Sequence, residues 1–177
     1  MIKLLKETLW NQFGASIEML TNAIAMCPEE NWNNHTGFFY TTYHCLLFLD
    51  YYLTIPPENF SSPFPFIIAE RDNLPVNAID DLIPEKFYRK KEMLDYAEKS
   101  RNKCYQLIQN LTEEKLSGRW INKPDEIVAG SVMNYSVLEI LLFNMRHVQH
   151  HSAQLNLLLR QAINDAPHWV SQASNVL

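Results

Sequence analysis

An uninterrupted helical pattern at residues 136–160 constrains the fold of this chain more than any other feature. The stretch contains no glycine or proline, and good helix formers such as leucine, arginine and glutamine recur along it. Ser136 and Glu139 have the spacing of a capping box, in which the Ser136 hydroxyl accepts from the amide of residue 139 and the Glu139 carboxylate reaches back. The sequence therefore predicts a long helix that begins immediately after Ser136.

Three histidines, His147, His150 and His151, lie within this helix. At about 100° of rotation per residue, His151 lies about 40° from His147 on the apolar side, whereas His150 lies about 60° away toward the polar side. His147 and His151 are therefore expected to face inward one turn apart, where two imidazoles can chelate one metal ion. Val148 occupies the position of the glutamate in a zinc peptidase helix, so the sequence excludes that protease class.

The composition bounds the class of protein. With 177 residues, the chain is expected to form one domain, 1–177, that buries a substantial core. A net charge of −5 argues against a nucleic-acid partner, and there is no run of about 18 apolar residues that would predict a membrane span. The amino terminus lacks a signal-peptide core, and three isolated cysteines without C-x-x-C spacing favour a reducing, cytoplasmic compartment.

Three more amphipathic helices precede the one that carries the histidines. Apolar spacing and flanking prolines place them at 4–26, 36–54 and 85–111. Only 4 glycines stand against 9 prolines, which favours helices with stiff connections over a β-sandwich. The expected fold class is therefore all-α, a four-helix bundle with a long connection between its second and third helices.

Shorter segments join these helices. Residues 31–35 are expected to form a polar turn, and Thr112 to begin a short extra turn that Gly118 closes. Residues 120–134 are expected to form a connection.

The proline-rich segment 57–84 is the irregular part of the chain. A loop of this length is often functional, as a lid or a pocket wall. The alternative is a surface excursion, or a dimer contact through the apolar side chains of Phe64 and Phe66.

His44 supplies a third candidate ligand, from the second helix. Metal sites in helix bundles are built from inward side chains on facing helices, so His44 can lie opposite His147 and His151. Three neutral imidazoles leave coordination positions open for water, which is typical of catalytic rather than structural sites. The alternative is that each histidine is a core residue with its own hydrogen bond, because an inward histidine is more often that than a ligand.

Four polar side chains lie near the candidate ligands in the sequence, and each has a possible role in the site. Tyr40 and Tyr51 lie beside His44, and Asn144 lies one turn before His147, so each is a candidate to orient a ligand or face a substrate. Core polar groups with local hydrogen bonds are the alternative. Asp50 is a further candidate of this kind, but it lies about 120° from His44 on the helix, which favours a role in capping, pairing with or holding a neighbouring element.

Two stretches, 43–53 and 146–155, resemble the DinB-like (damage-inducible) superfamily. They read Tyr-His-Cys-Leu-Leu-Phe-Leu-Asp-Tyr-Tyr-Leu and Arg-His-Val-Gln-His-His-Ser-Ala-Gln-Leu. The resemblance implies an up-down-down-up bundle that carries a metal ion on His44, His147 and His151, and it adds Gln154 to the residues expected near the ligands. Ser-Ala at 152–153 departs from the Arg-Gly of many relatives but leaves the ligands intact.

The same resemblance implies a range of functions. Relatives carry zinc, nickel or iron, and they include S-transferases that use a low-molecular-weight thiol as well as metal-dependent hydrolases. For this chain it implies zinc or nickel, with iron as a third choice, a small-molecule substrate, and a homodimer. The ion would lower the pKa of a bound water or thiol, which then attacks an electrophile.

Two alternatives to a metal-dependent enzyme stay open. One is a non-catalytic metal-binding or dimeric interaction module with a stress-linked role. The other is a helix bundle in which the three histidines pack without any metal.

Overall fold

The computed structural model describes residues 1–121 and 134–174, which are predominantly helical. The described residues form six α-helices: α1 (Ile2–Met26), α2 (Glu29–Asn34), α3 (Thr36–Tyr52), α4 (Lys90–Gln109), α5 (Glu113–Ser117) and α6 (Val137–Ile163). Two short strands, β1 (Phe66–Ile68) and β2 (Leu82–Pro84), pair antiparallel, and two single-turn 3-10 helices lie at Pro57–Asn59 and Arg71–Asn73. The expectation of an α-rich fold is therefore confirmed.

The four long helices share one apolar core. α1 packs against both α4 and α6, and α3 packs against the same two helices. Each helix contributes fully buried apolar side chains, among them Phe13 and Leu20, Leu46 and Leu49, Met93 and Ile108, and Leu141 and Leu155. The apolar stripe that the sequence places on each helix thus has a matching stripe on two neighbours, and its burial drives their association.

Local hydrogen bonds fix two helix starts where the sequence predicts them. The Ser136 hydroxyl accepts from the Glu139 amide at 3.2 Å at the start of α6. The Thr112 hydroxyl accepts from the Lys115 amide at 3.2 Å at the start of α5, and Gly118 follows the last residue of that helix. Both predicted starts are confirmed, and in each a side-chain oxygen accepts from a backbone amide that has no partner within the helix.

The predicted polar turn at 31–35 is wrong, because most of it belongs to the short helix α2. Trp32 is fully buried there, and its indole Nε1 donates to the backbone oxygen of Tyr88 at 3.1 Å. Its ring also packs edge-on against Phe38 and Phe39. A single buried aromatic residue therefore orders a segment whose other residues are polar.

Several other helix boundaries differ from the expectation, and α1 begins two residues early and α4 ends two residues early. The helix expected from residue 85 begins at Lys90, because the Glu92 carboxylate accepts from the Arg89 amide at 2.9 Å and so caps the helix there. The helix α3 ends at Tyr52, two residues before the expected end. The connection expected at 120–134 lies mostly outside the described residues.

The segment 57–84 folds back over the core as a hairpin. Ile67 pairs with Ile83 at the centre of β1 and β2. The half-buried ring of Phe64 packs 4.4 Å from that of Tyr88, and Phe66 also packs against the main core. Among the apolar side chains of β1, it is instead Ile67 and its neighbour Ile68 that are exposed. Across the described residues, no helix combines the length and apolarity needed to cross a membrane.

Candidate metal centre

The helices α3 and α6 bring His44, His147 and His151 together. The Nε2 atoms of His44 and His147 are 3.1 Å apart. One ring nitrogen from each of the three histidines lies within 4.8 Å of the other two. Two nitrogens bonded to one ion at about 2.0–2.1 Å lie about 3 Å apart when the angle at the ion is about 90–100°. The 3.1 Å between the Nε2 atoms of His44 and His147 thus matches a shared ion, and the ring of His151 lies close enough to join it.

Aromatic side chains form the wall around these rings. The ring of Phe48 lies 4.8 Å from that of His44 and 5.9 Å from that of His147. The ring of Tyr52, on the next turn of α3, lies 5.9 Å from His147. An apolar wall of this kind limits the access of water and strengthens electrostatic interactions inside it.

Two hydrogen bonds fix which nitrogen of the imidazole carries the proton. His44 Nδ1 lies 2.7 Å from Asp80 Oδ2, and His151 Nδ1 lies 2.7 Å from Gln154 Oε1. Because both oxygens are acceptors, each Nδ1 is the donor, and in the neutral ring Nε2 keeps its lone pair. Metal-binding histidines in other proteins have this arrangement, with the nitrogen that faces away from the ion donating to an oxygen.

His147 has no comparable partner. Its Nδ1 is buried and makes no hydrogen bond to the described part of the chain. If His147 carries its proton on Nδ1, two lone pairs face each other across 3.1 Å; if it carries the proton on Nε2, a buried acceptor is left unpaired. The unpaired Nδ1 costs about 1–3 kcal/mol in either tautomer, and a cation bound to the two Nε2 atoms would remove only the repulsion between their lone pairs.

Burial keeps His147 and His151 neutral. Burial, followed by the neighbouring imidazoles, lowers the pKa of His147 to about 3. Burial, followed by His44, lowers the pKa of His151 to about 4, although the hydrogen bond to Gln154 acts in the opposite direction. Both rings are therefore unprotonated near pH 7, and this is the form that binds metal ions.

The donor set fits a divalent transition metal. Imidazole nitrogens suit zinc, copper, iron and nickel. A closed structural zinc site needs four protein ligands, whereas the described residues supply a group of three. The three histidines could therefore hold an ion and leave coordination positions open.

The other residues predicted for the site separate into two groups. Gln154 lies at the site, through its contact with His151. Asn144 is fully buried, but its amide donates to the Leu49 backbone oxygen at 3.0 Å and so ties α6 to α3. This contact gives Asn144 a structural role between the two helices.

The two tyrosines pack elsewhere. The ring of Tyr51 lies 5.3 Å from those of Phe60 and Trp120, and the ring of Tyr40 lies 5.5 Å from that of Phe39. In the described part of the structure, neither ring stacks on a histidine.

Asp50 points away from the histidines, toward α4. Its carboxylate pairs with Lys103 and accepts from the Tyr96 hydroxyl at 2.9 Å. The helical geometry of the sequence predicts this outward direction, and Asp50 no longer belongs among the residues of the site. His150 is exposed on α6, as expected for the polar side of that helix.

Asp80 is the residue of the site that sequence reasoning missed. It lies in the irregular segment 57–84, 36 residues beyond His44. The length of that segment indicated a functional role but did not single out one residue, because an acidic residue in a loop carries no local signal of its partner.

Compared with models of known protein families, with curated proteins and with solved structures, the chain matches none of them. The likeness to the DinB-like superfamily therefore depends on the two stretches in α3 and α6 that carry it.

Proposed function

We propose that this chain is a divalent-metal-binding protein of the DinB-like type that acts as a metal-dependent enzyme. His44, His147 and His151 would hold zinc or nickel, with iron as a third choice. The observation that carries the proposal is the convergence of three imidazoles from two helices, with two Nε2 atoms 3.1 Å apart. The packing of α1 and α3 against both α4 and α6 supports a four-helix bundle as the scaffold, and the resemblance implies its up-down-down-up order.

The proposed reaction is S-transfer or hydrolysis on a small electrophilic substrate, with a low-molecular-weight thiol as the candidate co-substrate. A divalent ion at this position supplies Lewis-acid chemistry that makes a water or a thiol a stronger nucleophile at neutral pH. Asp80 and Gln154 hold the Nδ1 protons of two ligands, and Phe48 and Tyr52 shield the rings from bulk water.

The number of ligands supports an enzyme over a structural metal module. A structural site closes its coordination shell with protein atoms, and its ion contributes directly to folding. Only three imidazoles converge among residues 1–121 and 134–174. The proposal also includes a homodimer, which the resemblance supports, and a cytoplasmic location, which the three isolated cysteines support.

Metal titration of the purified full-length chain tests the proposal. After treatment with a chelator, the protein is expected to bind one zinc or nickel ion per chain, measured by calorimetry. His147→Ala should weaken binding by at least about 100-fold, since a lost ligand costs more than a lost outer partner. His150→Ala is the matched control, because this exposed neighbour lies outside the group.

Activity then separates an enzyme from a binding module. The metal-loaded protein is expected to turn over members of a panel of thiol-reactive electrophiles and esters, and His147→Ala to be inactive. Absence of zinc or nickel binding by the wild-type chain would contradict the metal site itself. Tight binding without turnover across the panel would favour the non-catalytic module.

A further inference from the structure

Asp80 connects the β1–β2 hairpin to the histidine on α3. One carboxylate oxygen, Oδ2, lies 2.7 Å from His44 Nδ1. The other, Oδ1, accepts from the backbone amide of Leu82 at 3.0 Å, at the first residue of β2. Both oxygens are thus engaged, one by the hairpin and one by the candidate ligand, so the carboxylate has one preferred orientation.

The hairpin holds Asp80 in place from both sides. The Ala69 amide donates to the Asp81 backbone oxygen at 2.8 Å and extends the pairing of the strands toward Asp80. On the other side, the side-chain amide of Asn77 donates to the hydroxyl of Thr36, the first residue of α3, at 3.1 Å. The position of the carboxylate is therefore set before any ion binds.

The environment makes the contact between the two side chains strong. The side chain of His44 is 14% exposed and that of Asp80 is 25% exposed. Solvent screens a hydrogen bond to a charged group less in such a half-buried place, and charge-assisted bonds are roughly twice as strong as neutral ones. A carboxylate on Nδ1 also increases the electron density at Nε2, which improves the ring as a ligand.

We infer that Asp80 is a positioning residue of the three-histidine site, and that the hairpin is part of this site through it. The inference rests on the proposed function, because it assigns to Asp80 the task of aiming His44 Nε2 at the ion. It gives the irregular segment 57–84 a specific role, namely to deliver one carboxylate to the back of one ligand. By thermodynamic linkage, an ion that binds more tightly when Asp80 is in place also stabilises the hairpin.

Asp80→Ala and Asp80→Asn test this inference in the full-length chain, with Asp81→Asn as the control. Asp81 is exposed, and its replacement changes the charge of the hairpin by the same amount at the next residue. Zinc affinity, measured by competition with a chelating dye, is expected to fall about 10–100-fold for Asp80→Ala. The fall should be smaller for Asp80→Asn, whose oxygen can still accept from Nδ1, and Asp81→Asn should bind as the wild type does.

Two readouts separate positioning from a general loss of structure. Nitrogen NMR of the His44 ring should show the proton on Nδ1 in the metal-free wild type and in Asp81→Asn, and a mixture of tautomers in Asp80→Ala. Zinc should slow hydrogen exchange of the Leu82 amide in the wild type but not in Asp80→Ala. Because the tautomer readout needs no metal, it tests the positioning even if the wild type binds no zinc, which would contradict only the proposed function.

Zinc affinity of Asp80→Ala within about twofold of a tightly binding wild type would overturn the inference and leave the proposed metal site intact. The same conclusion would follow from a His44 ring whose tautomer does not change when Asp80 is removed. If Asp80→Ala fails to fold, Asp80→Asn carries the test, because it preserves the size of the side chain.

Discussion

Two polar clusters connect α3 to its neighbours, and they differ in how completely their half-buried polar groups are paired. The Asp50 cluster faces α4: Asp50 pairs with Lys103 and accepts from Tyr96, and Lys103 also donates to the Thr54 hydroxyl at 2.6 Å. The histidine group of His44, His147 and His151 faces α6 instead. One cluster combines donors with acceptors and an anion with a cation, whereas the other places three groups of the same kind against one another.

The two clusters therefore suit different tasks. In the Asp50 cluster the charges and hydrogen bonds are matched, so it joins two helices without any ligand. In the histidine group, the Nε2 atoms of His44 and His147 face each other across 3.1 Å, and the contact with Asp80 leaves a lone pair on His44 Nε2. A cation between these nitrogens would bind their lone pairs, whereas the Asp50 cluster has no group that a cation would complete. This contrast supports the proposal that the histidine group serves a cation.

Zinc should give the largest effect, and only through the histidine group. At a free zinc concentration 100 times the dissociation constant, the free energy of unfolding of the wild type should rise by about 2.7 kcal/mol. Asp50→Leu should show the same increase, because the Asp50 cluster does not touch the ion. Urea unfolding with and without zinc measures the increase in both proteins. Loss of the zinc effect in Asp50→Leu would show that the two clusters are not independent.

Asp50→Leu should have the next largest effect, on the metal-free protein. It removes the carboxylate that pairs with Lys103 and leaves the buried Tyr96 hydroxyl without its acceptor, which should lower the free energy of unfolding by about 2 kcal/mol. Urea unfolding in the presence of a chelator measures the change. A decrease below about 0.5 kcal/mol would show that the Asp50 cluster contributes little to stability.

Acid should destabilise the metal-free protein through its buried neutral histidines. The pKa of His147 and of His151 is lowered to about 3 and about 4 from an ordinary value of 6.5. The unfolded chain therefore binds more protons than the folded one between these values, so the stability of metal-free protein falls as pH decreases through that window. His147→Leu should reduce the slope by about 1 kcal/mol per pH unit, measured by unfolding at pH 7, 6 and 5. An unchanged slope would contradict a neutral buried His147.

His147→Leu at pH 7 should produce the smallest change in the metal-free protein. Leucine removes the unpaired Nδ1 and keeps an apolar side chain in the core, so the free energy of unfolding should stay within about 1 kcal/mol of the wild type. A decrease of about 2 kcal/mol or more, comparable with that of Asp50→Leu, would show that the histidine group is structural. Urea unfolding of the two variants side by side distinguishes these results.

The sequence predicts the parts of this site that depend on local periodicity. The capping pair at Ser136 and the i, i+4 spacing of His147 and His151 depend on a single helix, and both lie where expected. His44 required one further step, the packing of α3 against α6, which follows from the apolar stripes of the two helices.

The sequence does not predict the parts that depend on contacts between distant segments. Asp80 meets His44 across 36 residues, through a hairpin whose strands are only three residues long and carry no clear alternation. Trp32 orders α2 by donating to a backbone oxygen 56 residues away. In both cases the partner is set by tertiary packing, which overrides the polar character of the local sequence.

Anomalous diffraction at the zinc edge, from crystals of the 177-residue chain grown with zinc, is the sharpest test of the three-histidine site. We expect one peak between α3 and α6, within about 2.1 Å of a ring nitrogen of each of His44, His147 and His151. Crystals that contain zinc at other positions but show no peak between these three rings would contradict it.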